Sequence, residues 1–275
     1  MTTGALWATR VGDVWAEEWR RTDRTFAGLA PYLDAAIDAA MPIGGGHALD
    51  IGCGAGATSL ALAGRHPGLS VTGLDLSERL VARARARAQG LPNLRFVVGN
   101  AAAPPPLPPL DLLVSRHGVM FFDDPVAAFA ALRGVARPGA ALVFSCFRGT
   151  QRNPWVSDLI EHLTGQPPAP PAGYAPSPFA FADPDFTGGI LRDAGWREAR
   201  SAVADYSYLA GEGADPVADA VRTFTLIGPV AALIAAAAPE EREQMVELLR
   251  EALERHRLGN RVAPPASAWI WTARA

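Results

Sequence analysis

The sequence predicts an α/β chain built on a doubly wound, mostly parallel sheet, and three observations carry that expectation. Short apolar runs of strand character alternate with helical periodicity over roughly a hundred residues. A set of closely spaced glycines, Gly52, Gly54 and Gly56, directly follows the first of those runs. The chain is 275 residues long and 49% hydrophobic, enough to bury one full core with an added subdomain.

Residues 14–40 carry apolar side chains at helical spacing and predict one or two amphipathic helices. "HALDIG" then reads as a first strand, and "GATSLALAGRH" as a helix stopped by Pro67 and Gly68. "SVTGLDLS" is the second strand, and "ERLVARARARAQG" a helix closed by Gly90. "LRFVVGNA" is the third. A proline-rich loop, Pro104 to Pro109, leads into "LDLLVSRHG", the fourth. Asp124 and Pro125 supply an N-cap and a first-turn proline for the helix "VAAFAALRGVA". "PGAALVFSCF" is the fifth strand. Right-handed crossovers place a ligand at the C-terminal edges of such strands.

After Phe147 the alternation breaks. Residues 1–147 are expected to hold N-terminal helices and a ligand-binding core, and residues 148–182, rich in Pro, Gly and Trp, a lid-like insert. Residues 183–208 return to the core with the helix "DPDFTGGILRDAGW" and the strand "EARSAVADYSYL". Residues 209–262 read as a helical insert of two segments broken around Gly228-Pro229 and Pro239, and residues 263–275 as the final strand, "SAWIWTARA".

Three ligands compete for the glycine loop. A phosphate loop of the Walker type needs a lysine, and all 25 basic residues here are arginine. A dinucleotide fingerprint read from Gly52 places Ala57 where its third glycine belongs, and Asp50 would repel a pyrophosphate. A cationic ligand is instead favoured by that carboxylate.

Asp50-Ile51-Gly52-Cys53-Gly54-Ala55-Gly56 resembles the first motif of class I S-adenosylmethionine (SAM) methyltransferases, in which an acidic residue precedes spaced glycines. The resemblance continues through Phe147. It implies that Asp50, Gly52, Cys53, Gly54 and Gly56 bind the cofactor, that Asp75 in "GLDLS" holds the ribose hydroxyls and that Leu76 lies along the adenine. Asn100-Ala101 stands where the family often has Asp-Ala, and the Asn oxygen can still accept from the adenine amine. Ser115 matches the position whose backbone approaches the methionine moiety. The stretch "SRHGVMFFDDPVAAFAALRGVARPGAALVF" looks most like the bacterial small-molecule branch with ubiquinone/menaquinone C-methyltransferase-like proteins. The implied fold is a Rossmann-like, seven-stranded, mostly parallel sheet, with helical inserts after strand five and between the last two strands. The implied activity is in-line methyl transfer from SAM to an O, C or N atom of a small-molecule acceptor enclosed by the inserts.

Other residues carry competing readings. His117, at the end of strand four, is a wall residue or substrate hydrogen-bond partner on one reading and a general base on the other. Trp15, Trp155 and Tyr174 are candidate substrate contacts or simple core anchors. Cys53, hemmed in by glycines, contributes backbone rather than a nucleophilic thiol. Asp123 and Asp124 are explained by a helix start, so no metal is expected. Arg83, Arg85 and Arg87 wrap around their helix and read as solvated.

A formal net charge of −3 without a long basic run argues against nucleic acid. The two cysteines have no metal spacing, the N-terminus has no leader pattern, and "GPVAALIAAAAP" is too short to span a bilayer, so a cytoplasmic location is expected. The Ala-rich stretch from Leu226 to Ala238 could be core, cap or the face of a homodimer. Two rival functions stay open: a non-catalytic SAM-binding partner, and a nicotinamide oxidoreductase, which would lack the lysine of the common Tyr-x-x-x-Lys pair.

Overall fold

In this computed structural model, which describes residues 4–169 and 173–275, strand β1 (Gly46–Ile51) is an inner strand of a seven-stranded sheet. The others are β2 (Leu69–Asp75), β3 (Leu94–Val98), β4 (Leu110–Arg116), β5 (Ala136–Phe147), β6 (Arg197–Ser207) and β7 (Pro265–Arg274). Their order is β3-β2-β1-β4-β5-β7-β6. All pairs are parallel except those of β7, which runs antiparallel to both β5 and β6. The inner strands β1, β2 and β4 each contain an unbroken buried stretch of at least four residues, as strands covered on both faces do. Successive strands step one way from β1 to β3 and the other way from β4 to β5. The crevice where that direction reverses, beyond the C-terminal ends of β1 and β4, is where such sheets hold ligands.

Four N-terminal segments, α1 (Gly4–Trp7), α2 (Arg10–Glu17), α3 (Trp19–Thr25) and α4 (Ala30–Ala39), replace the one or two longer helices expected there. Between α3 and α4 the chain passes close to strand β6 at Gly28, where a Cβ would lie 3.0 Å from the Ser207 carbonyl oxygen. The crossover helices are α5 (Ala57–Arg65), α6 (Glu78–Arg87) and α7 (Pro125–Gly134). Side-chain caps set two of their starts: Ser77 Oγ accepts from Leu80 N–H, and Asp124 Oδ1 from Ala127 N–H ahead of Pro125.

The segment expected to be a lid behaves differently. It contains α8 (Pro154–Thr164), whose Trp155, Val156 and Leu159 are buried in the main core, as is Phe181 beyond it. Residues 170–172 of that segment, like residues 1–3, lie outside the described residues. Its content of Pro, Gly and Trp suggests a lid-like insert, whereas the buried face of α8 ties this part of it to the core. Helix α9 (Pro184–Asp193) starts at the Asp183 cap and leads into β6.

Between β6 and β7 the chain forms α10 (Pro216–Leu226), α11 (Gly228–Ala236) and α12 (Pro239–Glu254), together with a small three-stranded antiparallel sheet of two-residue strands. Gly228 and Pro239 break this run where expected, giving three helices instead of two. No single helix is long and apolar enough to cross a membrane among the described residues; α10 and α11 meet at a bend of 72°.

The arginines of α6 are not all free in solvent. Arg85 donates twice to the Phe96 carbonyl. Arg87 donates to the Ala55 carbonyl at 2.7 Å, lies 3.9 Å from the Trp19 ring centre and pairs with Asp23. Helical position alone could not show that these side chains reach neighbouring elements.

Candidate active site

The ends of β1, β2 and β4 open into a single cavity of about 360 Å³. One end is made largely of backbone. Gly52 has φ +64°, and a Cβ on it would approach the Gly118 Cα to 3.1 Å, so a side chain is excluded on two counts. The N–H groups of Gly52 and Cys53 both donate to the Leu74 carbonyl, which sews the loop to the end of β2. Gly54 N–H donates to Asp75 Oδ2 at 2.8 Å, while Asp75 Oδ1 accepts from Ser77 N–H at 2.9 Å. Asp75 is thereby fixed at the cavity wall, and burial raises its carboxyl above the usual range.

Asp50 stands at the cavity wall near the end of β1. Its Oδ2 accepts from Ser59 Oγ at 2.5 Å, whereas its Oδ1 is buried with no partner. Burial pushes this carboxyl up to about 6; Ser59 and Arg116 pull it down, and Asp75 pushes it further up. Two desolvated carboxylates and an orphaned oxygen are expensive unless a cation joins them. A ligand with an ammonium and a sulfonium supplies that charge.

The remaining residues expected to bind cofactor divide in two. Cys53, Leu76, Asn100 and Ala101 line the cavity with Asp50, Gly52, Gly54 and Asp75. Asn100 Oδ1 already accepts from Ala102 N–H, forming a local turn. The Cys53 side chain packs with Val81, Ala84 and Phe96, and burial drives its thiol far above the ordinary value, so it offers no thiolate. Gly56 and Ser115 lie behind the wall. Gly56, at φ +87°, caps α5, and a Cβ there would strike the Phe96 ring at 2.8 Å. Ser115 Oγ donates to the Ile51 carbonyl and accepts from Gly118 N–H, tying β4 to β1.

The other end of the cavity is built from rings. His117 follows β4 with φ +58°, a left-handed conformation rare outside glycine. Its Nδ1 lies 2.8 Å from Ser145 Oγ, and its Nε2 is buried without a partner. Burial, with Arg116 adjoining, holds its pKa well below the usual value, so the imidazole is neutral. The ring contacts Phe147 at 4.2 Å and Phe26 at 4.8 Å between centres. Trp155 stacks on Tyr208 at 4.5 Å with planes 2° apart, and touches Phe147 at 5.0 Å. All five rings line the cavity.

Of the three aromatic residues expected to touch substrate, only Trp155 stands in this ring wall. Trp15 lines the cavity beside Ala55 and Leu80, at the glycine-loop end, because α2 packs on α6. Tyr174 lies outside the cavity: its hydroxyl donates to the Phe122 carbonyl and its ring packs on Phe181 and Phe186. Phe26, Arg116 and Tyr208 were not among the expected site residues. Tyr208 follows the C-terminal end of β6 and Phe147 ends β5, positions that strand-edge logic could have marked. Phe26 had no comparable signal.

Residues 49–144 match a family described as "Methyltransferase domain". The chain is 35% identical over 95 residues to a trans-aconitate 2-methyltransferase of Methylobacterium radiotolerans, a match covering 34% of this chain and 35% of that protein. It is 31% identical over 144 residues to the aklanonic acid methyltransferase DauC of Streptomyces sp. strain C5, covering 47% of this chain and 66% of the relative. The chain thus spans about a third to two thirds of the curated relatives it matches. In fold it is similar to the YcgJ protein of Bacillus subtilis, with a TM-score of 0.55 at 17% identity over 88% of this chain and 97% of that one. The [4+2]-cyclase SpnF gives a TM-score of 0.58 at 17% identity, covering 97% and 95% of the two chains. The acidic glycine loop and the seven-stranded sheet agree with the match of residues 49–144 to a methyltransferase domain, and S-adenosylmethionine is the cofactor that this match supports.

Proposed function

We propose that this protein transfers the methyl group of SAM to a small acceptor held among Phe26, Phe147, Trp155 and Tyr208. The observation that carries this reading is the continuity of the cavity, which joins the acidic glycine loop to an aromatic chamber with His117 in its wall. Asp75 would hold the ribose, Leu76 the adenine, and Asp50 the cationic amino-acid end. When bound, SAM supplies a methyl group already activated by a sulfonium, so the leaving group is a neutral thioether.

What remains for the protein is alignment and exclusion of water. Holding two reactants in line can supply about 7–11 kcal/mol of the barrier. The buried rings provide a dry, shaped surface for that alignment. His117 Nε2, neutral and unpartnered, can take a proton from an acceptor hydroxyl or activated carbon as the new bond forms. The transfer is balanced in charge: the sulfonium loses its positive charge as the imidazole gains one. An oxygen or carbon acceptor therefore suits this site better than an amine, which needs no base.

The test is incubation of the purified protein with methyl-labelled SAM and a fractionated small-molecule extract, followed by mass spectrometry. A labelled product supports the reading and identifies the acceptor. SAM binding measured calorimetrically without any labelled product would favour a non-catalytic SAM-binding protein.

A further inference from the structure

The charges that line the cavity are unequal. Asp23, Asp50, Asp75, Asp123 and Asp124 contribute five carboxylates, and Arg116 is the one arginine among the described lining residues. That arginine is engaged: its Nη2 lies 2.9 Å from Asp23 Oδ1, and its guanidinium sits 5.2 Å from the Phe26 ring centre. Asp23 is itself anchored from outside by Arg87 at 2.9 Å. The remaining polar groups toward the rings are neutral: the His117 imidazole, the Tyr208 phenol, raised to about 12 by burial, and the Thr22 hydroxyl. Thr22 Oγ1, one helical turn before Phe26 on α3, is buried without a partner, as is His117 Nε2.

These observations have a consequence for the acceptor. An anion entering the chamber would find Arg116 already paired with Asp23 and no other cationic side chain among the described lining residues. A cation would meet the sulfonium charge of the cofactor at close range, in a medium of low polarity where such repulsion is strong. A flat ring has the faces of Phe26, Phe147 and Trp155 to pack against. A single hydroxyl could satisfy both orphaned atoms, donating to Nε2 and accepting from Thr22 Oγ1.

We infer that the acceptor is an uncharged, planar aromatic or conjugated molecule bearing a hydroxyl group, and that the Asp23–Arg116 pair sets this preference by keeping Arg116 occupied. This rests on the methyl-transfer reading. In the proposed reaction the acceptor O–C bond to the methyl forms as the S–C bond breaks. The sulfur keeps the bonding electron pair, and the hydroxyl proton passes to His117 Nε2.

The experiment uses the full chain saturated with sinefungin, a cofactor analogue with a protonated amine beside the place of the sulfonium, and measures calorimetric affinity for 2-naphthol, 2-naphthoate and 2-naphthylmethylammonium at neutral pH. The expected result is 2-naphthol binding at least about tenfold tighter than either ion, a difference of roughly 1.4 kcal/mol. Equal or tighter binding of an ion, or no binding of any probe by the loaded protein, overturns the inference and leaves the cofactor site standing. Failure to bind sinefungin overturns the reading beneath it instead. In D23N, whose folding is checked by thermal melting, Arg116 is released and the naphthol-to-naphthoate preference should shrink to about threefold or less. A folded D23N protein with the wild-type preference would remove the ion pair from the explanation; the wild-type probe series decides the acceptor class whether or not the variant folds.

Discussion

The two ends of the cavity are made by different means. At the glycine-loop end the chain presents backbone and two carboxylates, contributed by strand termini that are neighbours in the sheet and only about 25 residues apart in sequence. At the ring end it presents side chains from α3, the ends of β4 and β5, α8 and the loop after β6. The first end depends on local geometry; the second depends on packing among elements distant in sequence. Substitutions should therefore separate binding of cofactor from processing of acceptor.

The largest separation is expected at His117. His117→Asn keeps a residue type that tolerates the left-handed backbone, and should lower turnover by about 100-fold or more while leaving cofactor affinity within about twofold. Steady-state kinetics with an identified acceptor, beside calorimetry with SAM, checks both halves. A rate restored at high pH, where an acceptor hydroxyl ionises unaided, would mark the loss as that of a base.

Trp155→Ala should act on the fold as well as on the acceptor. The ring is buried and stacked on Tyr208, and its Nε1 donates to Asn153 Oδ1 at 3.0 Å. Truncating such a ring costs about 3–5 kcal/mol, readable by chemical denaturation. Cofactor affinity measured on the folded fraction should change little. A loss of affinity as large as the loss of stability would mean the two ends are one cooperative unit.

Asp75→Ala breaks the other end. It removes the acceptor of the Gly54 and Ser77 N–H groups along with the expected ribose ligand, and should weaken SAM binding by about 2–3 kcal/mol, roughly 30- to 150-fold. The ring chamber should keep its structure, visible as an unchanged near-ultraviolet signal from its aromatic residues.

A smaller effect follows from the Asp50 carboxyl, raised to about 6 by burial. Its ionised form favours a cationic ligand. That advantage is present above the raised value and lost as pH falls through it. SAM affinity should weaken by about tenfold from its plateau to pH 5, and Asp50→Asn should flatten the profile. A wild-type profile already flat between pH 7 and 5 would show that Asp50 does not answer the cofactor's charge.

The sequence was most readable where the cavity wall is made of backbone. Gly52 and Gly54 could be placed because a strand, a tight turn and a helix start follow from local composition, and Asp75 because it ends the next strand. His117 was readable for the same reason, since it ends a strand beside the first. Side-chain destinations were harder. Gly56 and Ser115 are not among the cavity's lining residues, engaged instead in capping α5 and in tying β4 to β1, roles that spacing does not encode. Tyr174 was drawn away by the Phe122 carbonyl, and Trp15 by packing of α2 on α6. Phe26 enters the site only because α3 crosses the mouth of the sheet, and no periodicity in the N-terminal segment specifies that crossing.

That crossing is fastened by ion pairs to residues near the far end of the chain. Arg21 and Arg24 both engage Asp219, and Glu18 accepts from Arg222 at 2.6 Å. Arg21 and Asp219 are 198 residues apart in sequence. During synthesis, α3 thus emerges early and meets its partners only after most of the polypeptide has followed it. Closing so long a loop is slow in folding. The cofactor loop, whose Gly52, Cys53 and Gly54 N–H groups find their acceptors at Leu74 and Asp75, can form those contacts much sooner. We expect the ring chamber to be assembled last, so that a newly made chain acquires a place for the cofactor before it acquires a place for the acceptor. Pulse-labelling hydrogen exchange during refolding would show that order as early protection of β1 and β2 and late protection of α3 and α10.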